Sequence, residues 1–149
     1  MRFFIGILLL LGVASCSSDD DANVIVQEVQ VNGNWQPYKY EYRGKDVQLN
    51  DCDRKGQLLI NADFSGVYER YSIVEPTGNC NKVESYTGKW TYDKMNHILT
   101  LTYTEGGTSK TLTKEVDGYS ETELRILDNS KNLDNVPGND EGILVFRKG

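Results

Sequence analysis

Alternation of aromatic and aliphatic residues with polar ones constrains this chain more than any other feature. Tyr38, Tyr40 and Tyr42 alternate with Lys39, Glu41 and Arg43. Tyr86, Gly88, Trp90 and Tyr92 alternate with Thr87, Lys89 and Thr91, and Leu99, Leu101 and Tyr103 with Thr100 and Thr102. A period of two puts successive side chains on opposite faces of a half-buried antiparallel strand. No window of helical length beyond residue 22 repeats with a period of 3.6. Turn residues interrupt the runs at Asn32-Gly33, Asn61-Ala62-Asp63, Gly66, Pro76-Thr77-Gly78-Asn79, Asp93-Lys94-Met95-Asn96, Glu105-Gly106-Gly107 and Asp117-Gly118. The pattern predicts strands over residues 24–31, 35–43, 57–60, 67–74, 82–92, 97–104, 109–116, 119–127 and 143–148. Residues 128–142, rich in Asn, Pro and Gly, read as a long mobile loop. Consecutive hairpins of this number form an up-and-down meander, and a meander with two exposed edges curls until they meet. The expected fold is all-β: an antiparallel barrel of about eight strands.

The first residues follow a different logic. Arg2 precedes an apolar run over residues 3–13, which ends in Val13-Ala14-Ser15-Cys16. A cation, a short apolar core and small residues before a cleavage point make a secretory signal. The uncharged stretch is shorter than the roughly 20 residues a membrane-crossing helix needs. Aliphatic, small, small, Cys is the lipobox of bacterial lipoproteins. It implies cleavage before Cys16, with acyl chains on the sulfur and amine of that residue. Burial of each CH₂ contributes about 0.8 kcal/mol, so several chains anchor stably. Residues 1–15 are then the lipoprotein signal peptide. Residues 16–22, with Ser17-Ser18-Asp19-Asp20-Asp21, are a lipidated acidic tether, and residues 23–149 are the domain.

Such a domain is large enough for one core and no more. The formal net charge is −6, and the signal removes the single cation Arg2, leaving −7. That balance excludes nucleic acid as a partner, because phosphates need a basic face. With Cys16 taken by lipid, Cys52 and Cys80 form an even pair in an oxidising compartment, which points to a disulfide. The alternative is a metal site shared with His97, but the chain lacks Cys-x-x-Cys spacing.

The middle of the chain carries a resemblance. Asp51-Cys52-Asp53 is followed by Asn61-Ala62-Asp63-Phe64-Ser65-Gly66-Val67-Tyr68, then Cys80, Gly88-Lys89-Trp90 and Leu99-Thr100-Leu101-Thr102-Tyr103. In this order the motifs resemble the lipocalin-like domain of Bacteroidota lipoproteins, over residues 23–148. The resemblance implies a lipocalin-like β-barrel without shared catalytic residues. Cys16-Ser17-Ser18-Asp19-Asp20-Asp21 is similar to the start of many such lipoproteins, where acids after the cysteine favour the outer face of the outer membrane. A periplasm-facing anchor is the alternative. The family often opens its first strand with Gly-x-Trp, whereas the first expected strand here reads Asn23-Val24-Ile25-Val26-Gln27, with Trp35 the nearest tryptophan. That departure leaves an open or flattened barrel as the alternative to tight closure.

Catalytic chemistry finds little footing. His97 is the single histidine, and there is no Gly-x-Ser-x-Gly elbow to supply a nucleophile. Asp128-Asn129-Ser130-Lys131-Asn132-Leu133-Asp134 sets oxygens at alternate positions as a calcium loop begins. However, Leu133 stands where the turn needs Gly, and the closing Glu is missing. No catalytic residue, metal or cofactor is expected. The aromatic strands are the useful signal. Tyr40, Tyr68, Tyr86, Trp90 and Tyr103 either fill a small core or line a cavity for a small apolar or amphipathic ligand. The partners expected are the membrane, through the lipid anchor, and such a ligand. The other reading is a structural platform for a second envelope protein, presented by the tether and the loop over residues 128–142.

Overall fold

The computed structural model describes residues 30–149. The expected signal peptide, Cys16, the expected acidic tether and most of the strand expected over residues 24–31 lie outside them. Gln30 and Val31, the described end of that expected strand, are not in a strand. Nine strands follow: β1 (Gly33–Tyr42), β2 (Lys45–Gln48), β3 (Gln57–Ile60), β4 (Ser65–Val74), β5 (Asn79–Asp93), β6 (Ile98–Glu105), β7 (Thr108–Tyr119), β8 (Glu123–Lys131) and β9 (Asp140–Lys148). A single 3₁₀ turn, Asp53–Lys55, lies between β2 and β3.

The strands form one antiparallel sheet in the order β2-β1-β3-β4-β5-β6-β7-β8-β9, and β1 also pairs with β9. β2 and β3 share one edge of β1. β2 takes residues 39–42 and β3 takes residues 33–35. Together they fill one position of the ring, which makes this an eight-position closed barrel. β2 escapes the sequence pattern because Lys-Asp-Val-Gln is too short and polar to show alternation.

Closure answers the departure noted above. Gly33-Asn34-Trp35 opens β1, so the Gly-x-Trp is present at the start of the ring. Trp35 is completely buried. Pairing of β1 with β9 runs from Trp35–Lys148 to Glu41–Ile143, and an open or flattened barrel is ruled out.

Four register shifts interrupt the ladders, and those in β1 and β7 alter the expected pattern most plainly. Between Pro37 and Lys39 the register of β1 against β9 shifts by one residue. A bulge leaves one residue unpaired and reverses the alternation beyond it. Trp35 and Tyr40 therefore both enter the core although they are five positions apart, and Tyr38 leaves the face of Tyr40. The Arg147 guanidinium lies 3.5 Å from the centroid of the Tyr38 ring. A second shift, between Val116 and Gly118, turns the expected Asp117-Gly118 hairpin into a bulge within β7. The chain reverses instead after Tyr119, where the Ser120 N–H donates to the Glu123 carbonyl at 2.8 Å.

The loop expected over residues 128–142 is shorter than its composition suggests, since β8 reaches Lys131 and β9 starts at Asp140. Its Asn and Asp side chains serve the backbone as Asx turns. Asn132 Oδ1 accepts the Asn135 N–H at 2.8 Å, and Asp134 Oδ1 accepts the Val136 N–H at 2.9 Å. Leu133 packs against the core.

The interior is filled. Trp35, Leu58, Ile60, Trp90, Leu99, Leu101, Leu124 and Ile126 are sequestered from solvent, with Tyr40, Tyr68, Leu144 and Phe146 beside them. Two glycines paired across β4 and β5 let the strands bend around this core. A Cβ on Gly66 would lie 1.9 Å from the Leu59 carbonyl oxygen, and one on Gly88 would lie 1.9 Å from that of Thr102. Only a residue without Cβ tolerates such approach.

Outside the barrel, ion pairs bridge over β9. Lys39 meets Asp46 at 2.9 Å and Glu41 at 3.4 Å. Arg125 reaches from β8 to Glu41 at 2.6 Å and from there to Asp117 on β7 at 3.0 Å. Arg125 holds the Glu41 carboxyl below the usual carboxylate range. Val145, on β9 between Lys39 and Arg125, has no exposed surface.

Cys52 and Cys80 are joined by a disulfide that ties the β2–β3 connection to the start of β5. The bridge closes a loop with a sequence separation of 28 residues. A loop of that length restricts the unfolded chain enough to contribute about 3 kcal/mol. Replacing both cysteines by alanine should lower the unfolding free energy in urea by about that amount while leaving the far-ultraviolet circular dichroism unchanged. A loss below about 0.5 kcal/mol would show that the bridge does not restrain the unfolded chain.

Candidate functional site

The two poles of the barrel differ in chemistry. At one pole, where β1 begins and β3 ends, a cavity of about 340 Å³ is lined by Gln30, Val31, Phe64, Trp90, Thr91, Tyr92, Lys94 and Tyr119. Its walls are held by hydrogen bonds from the two tryptophans. The Trp35 indole N–H donates to the Val31 carbonyl at 2.8 Å and fixes the chain where it passes over the pole. The Trp90 indole N–H donates to the Leu59 carbonyl at 2.9 Å, which leaves its ring as apolar wall. Trp90 lies over Gly66, where a Cβ would meet the indole at 2.8 Å.

Phe64 reaches this cavity through an unusual backbone. Its φ is +62°, a left-handed conformation that costs a non-glycine residue about 1 kcal/mol or more. The turn over residues 61–65 imposes it. The Phe64 N–H donates to the Asn61 carbonyl at 2.9 Å, and the Asn61 N–H to the Ser65 carbonyl at 2.8 Å. Asp63 Oδ1 accepts the Ser65 N–H at 2.9 Å. The Phe64 carbonyl then accepts the Trp90 N–H at 2.7 Å, which places the two aromatic residues side by side. Tyr92 and Tyr119 complete the wall edge-to-face, with centroids 5.6 Å apart. The cavity thus offers flat ring surface with a few polar residues, Gln30, Thr91 and Lys94, in its lining, a combination suited to a small apolar molecule with one polar end.

The opposite pole is polar and packed. The Tyr40 hydroxyl donates to Asp128 Oδ1 at 3.0 Å, and the Ser130 hydroxyl donates to the same oxygen at 2.6 Å. Arg70 meets Glu84 at 2.5 Å, and Lys131 meets Asp53 at 2.6 Å. The Lys114 ammonium lies 4.8 Å from the centroid of the Tyr68 ring. Burial pushes the Tyr40 and Tyr68 hydroxyls well above the usual phenol range and pulls Lys114 below the usual ammonium range. The cavity among Tyr40, Tyr68, Arg70 and Phe146 is about 20 Å³, room for a single water.

The structure divides the aromatic residues singled out from the sequence. Trp90 lines the 340 Å³ cavity. Tyr40 and Tyr68 line the 20 Å³ one. Tyr86 and Tyr103 stack on each other with centroids 4.4 Å apart and lie partly buried against the core. Phe64, Tyr92 and Tyr119 are further functional candidates, which residue pattern alone does not single out. Each stands beside a turn, and an aromatic at a strand end next to a turn is the signal that marks a barrel mouth.

His97 is exposed, with φ +57°, and its Nδ1 lies 3.4 Å from the Tyr92 hydroxyl. Among the described residues no group of three or more His, Cys, Asp or Glu side chains is placed to hold a metal ion. The sequence profile of the lipocalin-like domain family matches residues 31–126, from the wall of the large cavity to β8. No curated protein matches the chain.

The buried phenols predict an alkaline transition. Below about pH 10 both hydroxyls are protonated in folded and unfolded chains alike. Above it the unfolded chain releases these protons while the fold retains them, so stability falls as pH rises. Melting temperature should therefore drop steeply above about pH 10, and less steeply in a Tyr40→Phe/Tyr68→Phe variant. An unchanged slope in that variant would remove these residues from the explanation.

Proposed function

Because this chain belongs to the lipocalin-like domain family, we propose that it is a non-catalytic binding module whose Trp90 pole holds a small apolar or amphipathic molecule. One observation carries the reading. Phe64, Trp90, Tyr92 and Tyr119 surround about 340 Å³ of open space, while the rest of the barrel interior is filled by its own side chains. Small-molecule sites begin at about 300 Å³ and are mostly apolar with a few polar groups. Gln30, Thr91 and Lys94 bring polar side chains to this lining.

The lipobox at Cys16 and the acidic tether support the rest of the proposal. The module is a bacterial lipoprotein anchored to the outer membrane by its acyl chains, facing the cell surface or the periplasm. A second reading, a platform for another envelope protein, is favoured by a strand edge on β7 that is unpaired among the described residues.

Titration with an anilinonaphthalene sulfonate probe tests the site. Probe binding should quench tryptophan emission, and Phe64→Ala or Tyr119→Ala should weaken it about tenfold, since one aromatic contact is worth about 1 kcal/mol or more. Tyr103→Phe, away from the cavity, should leave the affinity unchanged. No quenching, or equal loss in all three variants, would refute the site. Cys16→Ser should move the protein from the membrane pellet to the soluble fraction, and its retention in the pellet would refute the anchor.

A further inference from the structure

The hydrogen-bonded ring has a seam. β7 and β8 pair through Val116–Ile126, Gly118–Arg125 and Tyr119–Leu124 and no further. Among the described residues, residues 108–115 of β7 pair with β6 on one side and with no strand on the other. Among the described residues, residues 127–131 of β8 lie next to β9 alone. An unpaired edge exposes a row of backbone donors and acceptors that another extended chain can complete.

The two edges are not equivalent. β8 is kinked there, its register against β9 shifting between Asp128 and Lys131. β7 runs in unbroken register with β6 from Glu105–Thr108 to Ile98–Glu115, with neither proline nor bulge to disrupt an added strand. β7 is therefore the better template.

Charge selects what docks. A cavity of about 260 Å³ beside the seam is lined by Glu115, Leu127, Asp128, Asn129 and Glu141. Asp128 is committed to Tyr40 and Ser130. Glu115 and Glu141 are exposed, and neither is paired with a cation among the described residues. The lining holds three carboxylates and no basic side chain, so a partner strand gains most by bringing lysine or arginine.

We propose that the seam between β7 and β8 receives an extended basic segment of another protein, added as a strand to the β7 edge with its cations against Glu115 and Glu141. The interaction is independent of the ligand cavity, which lies at the other pole. Main-chain hydrogen bonds supply the docking, and the two carboxylates set the preference for a basic sequence.

The test uses the full-length protein and a synthetic peptide of about eight residues alternating lysine with valine, a length matched to the free edge. Amide chemical shifts should change chiefly over residues 108–115. A Glu115→Lys/Glu141→Lys variant should bind the peptide about tenfold more weakly or worse. The same peptide methylated on alternate backbone nitrogens keeps its charge but loses strand donors, and it should also bind at least about tenfold more weakly. Equal binding of the methylated peptide would overturn strand addition. Insensitivity to the charge-reversed variant would overturn the acidic preference. Absence of binding at millimolar peptide would overturn the proposal as a whole.

Discussion

Pairing of β1 with β9 is the constraint on which the rest of the molecule depends. It turns a nine-stranded meander with two edges into a closed ring. A ring of eight positions is narrow enough for its own side chains to fill. Trp35, Trp90, Leu58, Ile60, Leu99, Leu101, Leu124 and Ile126 do fill it, so ligand-sized space is excluded from the middle and survives at the pole. The bulge at Tyr38 belongs to the same constraint. Without it, one-half of β1 would turn its core residues to solvent. The ion pairs from Asp46 to Asp117 tie β1 to the strands beyond β9. Each half-exposed pair is worth only about 0.2–1 kcal/mol, so their contribution is to register more than to stability.

Much of the architecture was legible because its signal is periodic. Alternation along Tyr86–Tyr92 and Leu99–Tyr103 marked β5 and β6 with the correct inward face. The cysteine count marked the Cys52–Cys80 bridge. Features that break the period were hidden. A bulge adds one residue without a compositional mark, so the alternation alone puts Tyr38 on the face of Tyr40 and makes Asp117-Gly118 read as a turn. The apolar run over residues 24–31 lies mostly outside the described residues, and beside it Gly33-Asn34-Trp35, which opens β1, reads only as a turn. Asn and Asp lengthened the apparent last loop, because those residues signal a turn whether it spans five residues or fifteen.

The candidate site was only partly legible for a related reason. Trp90 sits on a strand whose alternation shows where it points. Phe64, Tyr92 and Tyr119 come from three separate parts of the chain and meet only when the barrel closes. Phe64 also depends on a left-handed backbone that no residue pattern announces. The polar pole shows the converse. Tyr40, Tyr68 and Lys114 carry the residue types of a binding site, yet hydrogen bonding and packing consume the space around them.

Native-state hydrogen exchange tests closure most directly. If β1 and β9 close the barrel, the hydrogen-bonded amides of residues 35–41 and 143–148 open only with global unfolding. They should then share the exchange free energy of those in β6 around Leu101. Opening of β1 and β9 at a distinctly lower free energy, with β5 and β6 still protected, would mean that the ring is not the cooperative unit described here.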